Sequence, residues 1–220
     1  MKARDILMVS FVCFLTGLAG CSRQDENIST IPWDQNMVWD GTAPAGDALP
    51  DFFEGTPKTS VFPESMVGVW EVMVNETTGS KWGIKFEADA SIKKINHFLG
   101  GQIDLAEGGT SMEGPDPGTY AMFVMGPCIV GYDKGTKILK VKVILDYYEM
   151  QLPNGSLKGR IEDYFSGPVS EDGLTWNAEW RSFGWLEGAS PPDVNETNAN
   201  PEKLVFKKIE ISDKPSDYNQ

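Results

Sequence analysis

The residue best suited to covalent chemistry is scarce here, with three cysteines in 220 residues. Cys13 lies inside an uncharged apolar run, Ile6 to Leu18. Cys21 follows that run directly behind Leu18, Ala19 and Gly20. A thiolate is a good nucleophile, and small residues before it leave the backbone open to a peptidase. Cys128 sits in Met125-Gly126-Pro127-Cys128-Ile129-Val130, an apolar setting that reads as a buried structural thiol. His97 is the single histidine, so multi-histidine metal sites are excluded, and Asn96-His97-Phe98 offers no nucleophile elbow. It reads as a structural histidine.

Glu71, Asp146, Glu162, Asp163 and Glu179 fall on strand-like runs. A carboxylate pair at the right separation hydrolyses glycosidic bonds, but nothing in the spacing fixes a separation, and solvated wall is the plainer reading. Asp104, Glu107, Glu113 and Asp116 punctuate a glycine-rich stretch without the spacing of a calcium loop. No phosphate loop, dinucleotide fingerprint or paired-cysteine motif occurs. The sequence therefore predicts no catalytic residue, no metal and no cofactor: a protein that is not an enzyme.

What positions Cys21 is an export signal. Lys2 and Arg4 precede the apolar run, which is too short to cross a hydrocarbon core of about 30 Å. Leu18-Ala19-Gly20-Cys21 resembles the lipobox of bacterial lipoproteins. The resemblance implies cleavage before Cys21, diacylglycerol (and commonly palmitate) on that residue, and a lipid anchor in the cell envelope. Ser22, where aspartate would imply inner-membrane retention, points to the outer membrane. With Cys13 removed and Cys21 lipidated, no intrachain disulfide remains to support the mature fold.

The chain carries −13, and its leader, with Lys2, Arg4 and Asp5, accounts for +1, leaving −14. Such a surface repels phosphate, so nucleic acid is not an expected partner. Residues 1–20 read as signal peptide and 21–64 as a lipid-anchored tether. The tether carries Trp33, Trp39, Phe52, Phe53 and Phe62, which either dock on the domain behind it, on its outer wall or at one end, or recognise an envelope partner. Asn27 and Asn195 fit the extended acceptor pattern of bacterial N-glycosylation, a match that chance explains well enough.

From residue 65 apolar residues recur with period two between turn signals. Runs fall at 66–74, 82–88, 92–99, 119–125, 128–132, 137–150, 157–169, 174–185 and 204–211. Gly100 to Gly118 reads as a connection, and Asn154-Gly155 as a type I′ hairpin turn. Eight or nine antiparallel strands, nearly all joined locally, predict an all-β fold. An up-and-down barrel is favoured because closure removes exposed edges; a β-sandwich is the alternative. The domain spans 65–212 and leaves a tail at 213–220.

Gly68-Val69-Trp70 in the first run resembles the Gly-X-Trp of lipocalins and the wider calycin group, and Leu145-Asp146-Tyr147 loosely resembles their middle motif. The resemblance implies a lipocalin-like barrel. Gly68 would permit close backbone approach, Trp70 would plug one end, and a late basic residue would lie across its ring: Arg181, or Lys207 as second choice. Trp70, Trp82, Phe86, Tyr147, Trp176 and Trp180 are the expected inward aromatics. They either line a cavity for a small hydrophobic ligand or fill the barrel. The leading expectation is ligand binding by a membrane-tethered barrel. The other is an envelope-structural or interaction protein whose partner is held through residues 22–64.

Overall fold

The computed structural model describes residues 47–59, 62–77, 79–98, 102–106, 109–114, 116–192 and 201–209. The signal peptide, Cys21, Trp33, Trp39, Asn27 and Asn195 lie outside them. Within them the chain is all-β, with one 3-10 turn, η1 (Glu64–Met66), and eleven strands. These are β1 (Gly68–Asn75), β2 (Ser80–Phe86), β3 (Ile92–Phe98), β4 (Gln102–Ala106), β5 (Thr110–Glu113), β6 (Tyr120–Met125), β7 (Ile129–Asp133), β8 (Ile138–Leu152), β9 (Gly155–Pro168), β10 (Thr175–Leu186) and β11 (Glu202–Ile209).

They form one antiparallel sheet in the order β4-β3-β2-β1-β11-β10-β9-β8-β6-β5. This meander rolls up until its first and last strands pair, from Val69↔Ile209 to Glu71↔Lys207. β6 and β7 share one edge of β8, interrupted at Gly126-Pro127-Cys128, where proline has no N–H to give the ladder. The sheet is nearly closed. Cα atoms of β4 come within 8 Å of β5 and β6, and Thr110 Oγ1 donates to the Asp104 carbonyl at 2.9 Å, but no ladder joins them among the described residues.

One continuous sheet replaces the β-sandwich alternative, and eleven strands replace eight or nine. The two additional ones, β4 and β5, lie in the stretch read as a connection. Both are short, and glycines around them mask their alternation, although Ile103 and Leu105 are buried on either side of the exposed Asp104. The Asn154-Gly155 hairpin exists, but its loop is Pro153-Asn154. Asn154 is not among the residues of positive φ, so the turn is not type I′; Gly155, at φ +141°, opens β9.

The interior is a stack of rings. Phe62 stacks on Phe86 at 4.8 Å, Phe86 meets Trp176 at 6.4 Å, and Trp176 stacks on Phe206 at 4.8 Å. Phe165 joins Phe206 to Trp82, and Trp82 meets Trp180. Each fully buried ring contributes about 1.5–3 kcal/mol. Phe62 is thereby the plug of one barrel end.

Residues 47–59 form a strap along the outside. Ala48, Leu49 and Phe52 cover Tyr164, Phe183 and Trp185 on the outer face of β9 and β10. Phe53 lies over Gly131, where any side chain would begin 3.0 Å from its ring. Lys58 then pairs with Gly131, and the Thr59 N–H donates to the Val130 carbonyl at 2.7 Å. β7 pairs with no other strand than β8 among the described residues, so the strap covers backbone groups that would otherwise form an open edge.

Candidate functional site

The closed end is built on β1. Gly68 has φ +125°, which disfavours any residue with a Cβ, and it admits the Lys208 side chain to 3.4 Å of the space a Cβ would occupy. Trp70 is fully buried and donates from Nε1 to the Met66 carbonyl of η1 at 2.9 Å. Arg181 is not beside it. In β10 it pairs with Tyr164 of β9 and lies on the outer wall, in a groove with Lys140, Ser166 and the strap. Lys207 pairs with Glu71, away from Trp70. The basic residue at this end is Lys208, paired with Trp70, whose ammonium donates to the Ser65 carbonyl at 2.5 Å. Parity explains the difference: Leu204 and Phe206 face inward, and Lys208 continues their row.

Tyr147 also leaves the expected inner set. The β8–β9 register shifts between Leu145 and Tyr148, so a bulge turns Tyr147 outward to pack with Met122 and Val124. Tyr148 takes the inward place. Trp70, Trp82, Phe86 and Trp176 do face inward together. They are 0 %, 1 %, 0 % and 0 % exposed, so no water-sized space adjoins them.

The opposite end differs. β11 begins at Glu202, which pairs with Trp180, whereas β10 runs on to Leu186. Beyond Trp180, the residues on its own face (Ser182, Gly184 and Leu186) are exposed. Among the described residues the buried inner row of β10 therefore ends at Trp180, which is half-buried at the rim. Below it sits a polar cluster inside an aromatic interior. Asp163 is fully buried; its Oδ1 accepts from Trp180 Nε1 at 2.9 Å, and its Oδ2 lies 3.1 Å from His97 Nε2. β3 and β9 are not neighbours in the sheet, so the His97–Asp163 contact crosses the barrel. The Trp82 ring centre is 3.7 Å from that of His97.

One polar atom here lacks a partner: His97 Nδ1 is buried with none among the described residues. Tyr148 lies further along the barrel, paired with Gly159. Burial alone pushes the Tyr148 phenol up to about 12. An unsatisfied buried polar atom costs about 1–3 kcal/mol, which a ligand atom or a water would recover. The spacing of residues gave no signal for this cluster except that His97 and Asp163 are polar residues within apolar strands.

Of the remaining strand carboxylates, Glu179 is exposed on the outer wall and the other three are ion-paired. Glu71 pairs with Lys81 at 3.3 Å, and Asp146 with Arg160. Glu162 is fully buried on the outer wall, in ion pairs with Lys142 at 2.9 Å and Arg160 at 2.8 Å. Adjacent strand residues point to opposite faces, so Asp163 and Glu162 cannot act on one substrate. Among the described residues no three His, Cys, Asp or Glu side chains are grouped to hold a metal ion. No protein-family model matches the chain, and neither the curated proteins nor the solved structures provide a match.

Proposed function

We propose that this is a non-enzymatic, exported lipoprotein, anchored through Cys21 in the cell envelope, with the outer membrane favoured. Its barrel, lipocalin-like in its Gly68–Trp70 end, binds a small, largely apolar ligand at the open rim. The observation that carries this reading is the buried, partnerless Nδ1 of His97, whose Nε2 shares the Asp163 carboxylate with the half-buried Trp180 at the rim. An apolar surface with a few placed polar groups suits a ligand with an apolar body and one hydrogen-bonding end. The closed half, filled by Trp70, Phe86 and Trp176, serves as a floor.

Native mass spectrometry of the detergent-purified protein, with gentle organic extraction alongside, tests both parts. The expected result is a lipid adduct on the peptide that begins at Cys21 and a small molecule released on denaturation. An unmodified Cys21 removes the anchor. A bare mass, with tryptophan fluorescence unmoved by fatty acids, retinoids and hydrophobic dyes, removes the ligand.

The filled aromatic interior supports a second reading: a packed barrel that acts through its surface as an envelope-structural or protein-interaction lipoprotein. Pull-down with and without residues 22–64 separates the two. Partners lost with that segment favour the second; none in either case removes it.

A further inference from the structure

The strap is held to the wall as a ligand is held to a receptor. The seat is made by residues of β8, β9 and β10. Lys142, whose side chain is 3 % exposed, lies between Glu162 Oε1 at 2.9 Å and Asp47 Oδ1 at 2.6 Å. Arg160 pairs with Glu162 at 2.8 Å and with Asp146, and lies 3.9 Å from Asp47. The strap adds the Ala48 N–H, donated to Glu162 Oε2 at 3.0 Å, and the Leu49 N–H, donated to the Tyr164 hydroxyl at 3.1 Å. Its carbonyls at Phe52 and Glu54 accept from Lys140, and the Phe52 ring packs edge-on to Tyr164 at 4.9 Å. Each of these contacts between the strap and the wall joins residues at least 86 positions apart.

Charge and apolar surface agree in what they fit. Without Asp47 the seat pairs two cations with Glu162 and Asp146, and Lys142 loses one of its two carboxylates. Burial works against an ionised Asp47, but Lys142 and Arg160 outweigh it and hold the carboxyl below its usual range. Without Ala48, Leu49 and Phe52, the rings of Tyr164, Phe183 and Trp185 lose their cover. A contiguous apolar patch of that kind is rarely left open.

We propose that this wall is a docking surface for Asp47–Phe53 as such, so that the strap of a second copy of this chain can seat on it. In one molecule the strap's own connection gives it an effective concentration in the millimolar range, so a dilute protein is monomeric. A strap or wall that loses its own partner becomes free to pair with another copy, an exchange that needs no new contact.

The test uses two full-chain variants. Asp47→Lys repels its own strap from Lys142 and Arg160 but keeps the wall. Lys142→Met damages the wall but keeps the strap; Lys142→Gln replaces it if circular dichroism shows the methionine variant unfolded. Exchange at the Ala48 and Leu49 amides of the Lys142 variant, isotope-labelled, is followed alone and after the unlabelled Asp47→Lys protein is added. Each variant alone is expected to be monomeric, with these amides exchanging at least about tenfold faster than in the wild type. The mixture is expected to form a one-to-one dimer by sedimentation and to restore their protection. Amides that never lose protection in the Lys142 variant, or that stay unprotected in the mixture, overturn the proposal. Neither result bears on the rim or on Cys21.

Discussion

His97 and Asp163, 66 residues apart, meet across the barrel interior with 3.1 Å between Nε2 and Oδ2. The same carboxylate fixes the indole of Trp180 at the rim. Asp163→Asn keeps the size and removes the charge. We expect a loss of about 1.5–3 kcal/mol in urea unfolding, the range for hydrogen bonds to charged groups. A change within error would mean that this contact is not what orders the rim.

Stability should fall at alkaline pH. The Tyr148 phenol is raised to about 12 in the folded chain, against about 10 unfolded. Its contribution is complete below pH 10, where both states are protonated. It declines as pH rises toward 12, because the unfolded state releases the proton first. The decline amounts to roughly 2–3 kcal/mol, and Tyr147 and Tyr164, also raised by burial, add to it. Tyr148→Phe should make the stability curve between pH 10 and 12 measurably flatter; an unchanged slope would contradict this account.

Lys208, not Arg181, supports the closed end. Lys208→Met removes the donor to the Ser65 carbonyl and should cost about 0.5–1.5 kcal/mol. Arg181→Met, on the open outer groove, should stay within about 0.5 kcal/mol. Thermal unfolding of both decides, and the reverse order would return the barrel-closing role to Arg181.

Two strand glycines should behave oppositely. A Cβ on Gly167 would lie 1.8 Å from the Asn177 carbonyl oxygen, a backbone atom that cannot turn away. Gly167→Ala should cost about 3 kcal/mol or prevent folding. At Gly184 the nearest atom would be Ile161 Cγ1 at 3.7 Å, an ordinary contact. Gly184→Ala should be neutral or stabilising by about 0.5 kcal/mol. Equal effects at the two positions would show that the local strand spacing differs from that described.

Period-two alternation made β1, β2 and β8 to β11 legible in the sequence, because each presents one face to a single core. It did not reach β4 and β5, which are too short to repeat a pattern. Alternation also presumes an unbroken register, and one bulge before Tyr148 was enough to exchange Tyr147 for its neighbour. Lys207 and Lys208 differ by one position, and only the pairing of β11 with β1 decides which meets Trp70. The rim cluster and the strap's seat were invisible for a different reason. Asp163 finds His97, and Glu162 finds Ala48, only after the sheet has rolled up.

The seam between β4 and β5 gives that roll a mechanical character. A hoop closed by hydrogen bonds all round must break a ladder before its girth changes. Among the described residues this sheet is a scroll: its circumference is continuous except along one line, where packing and a threonine hydroxyl do the joining. Widening there sacrifices no strand pairing, so the seam is the line along which the barrel can breathe while every ladder stays intact.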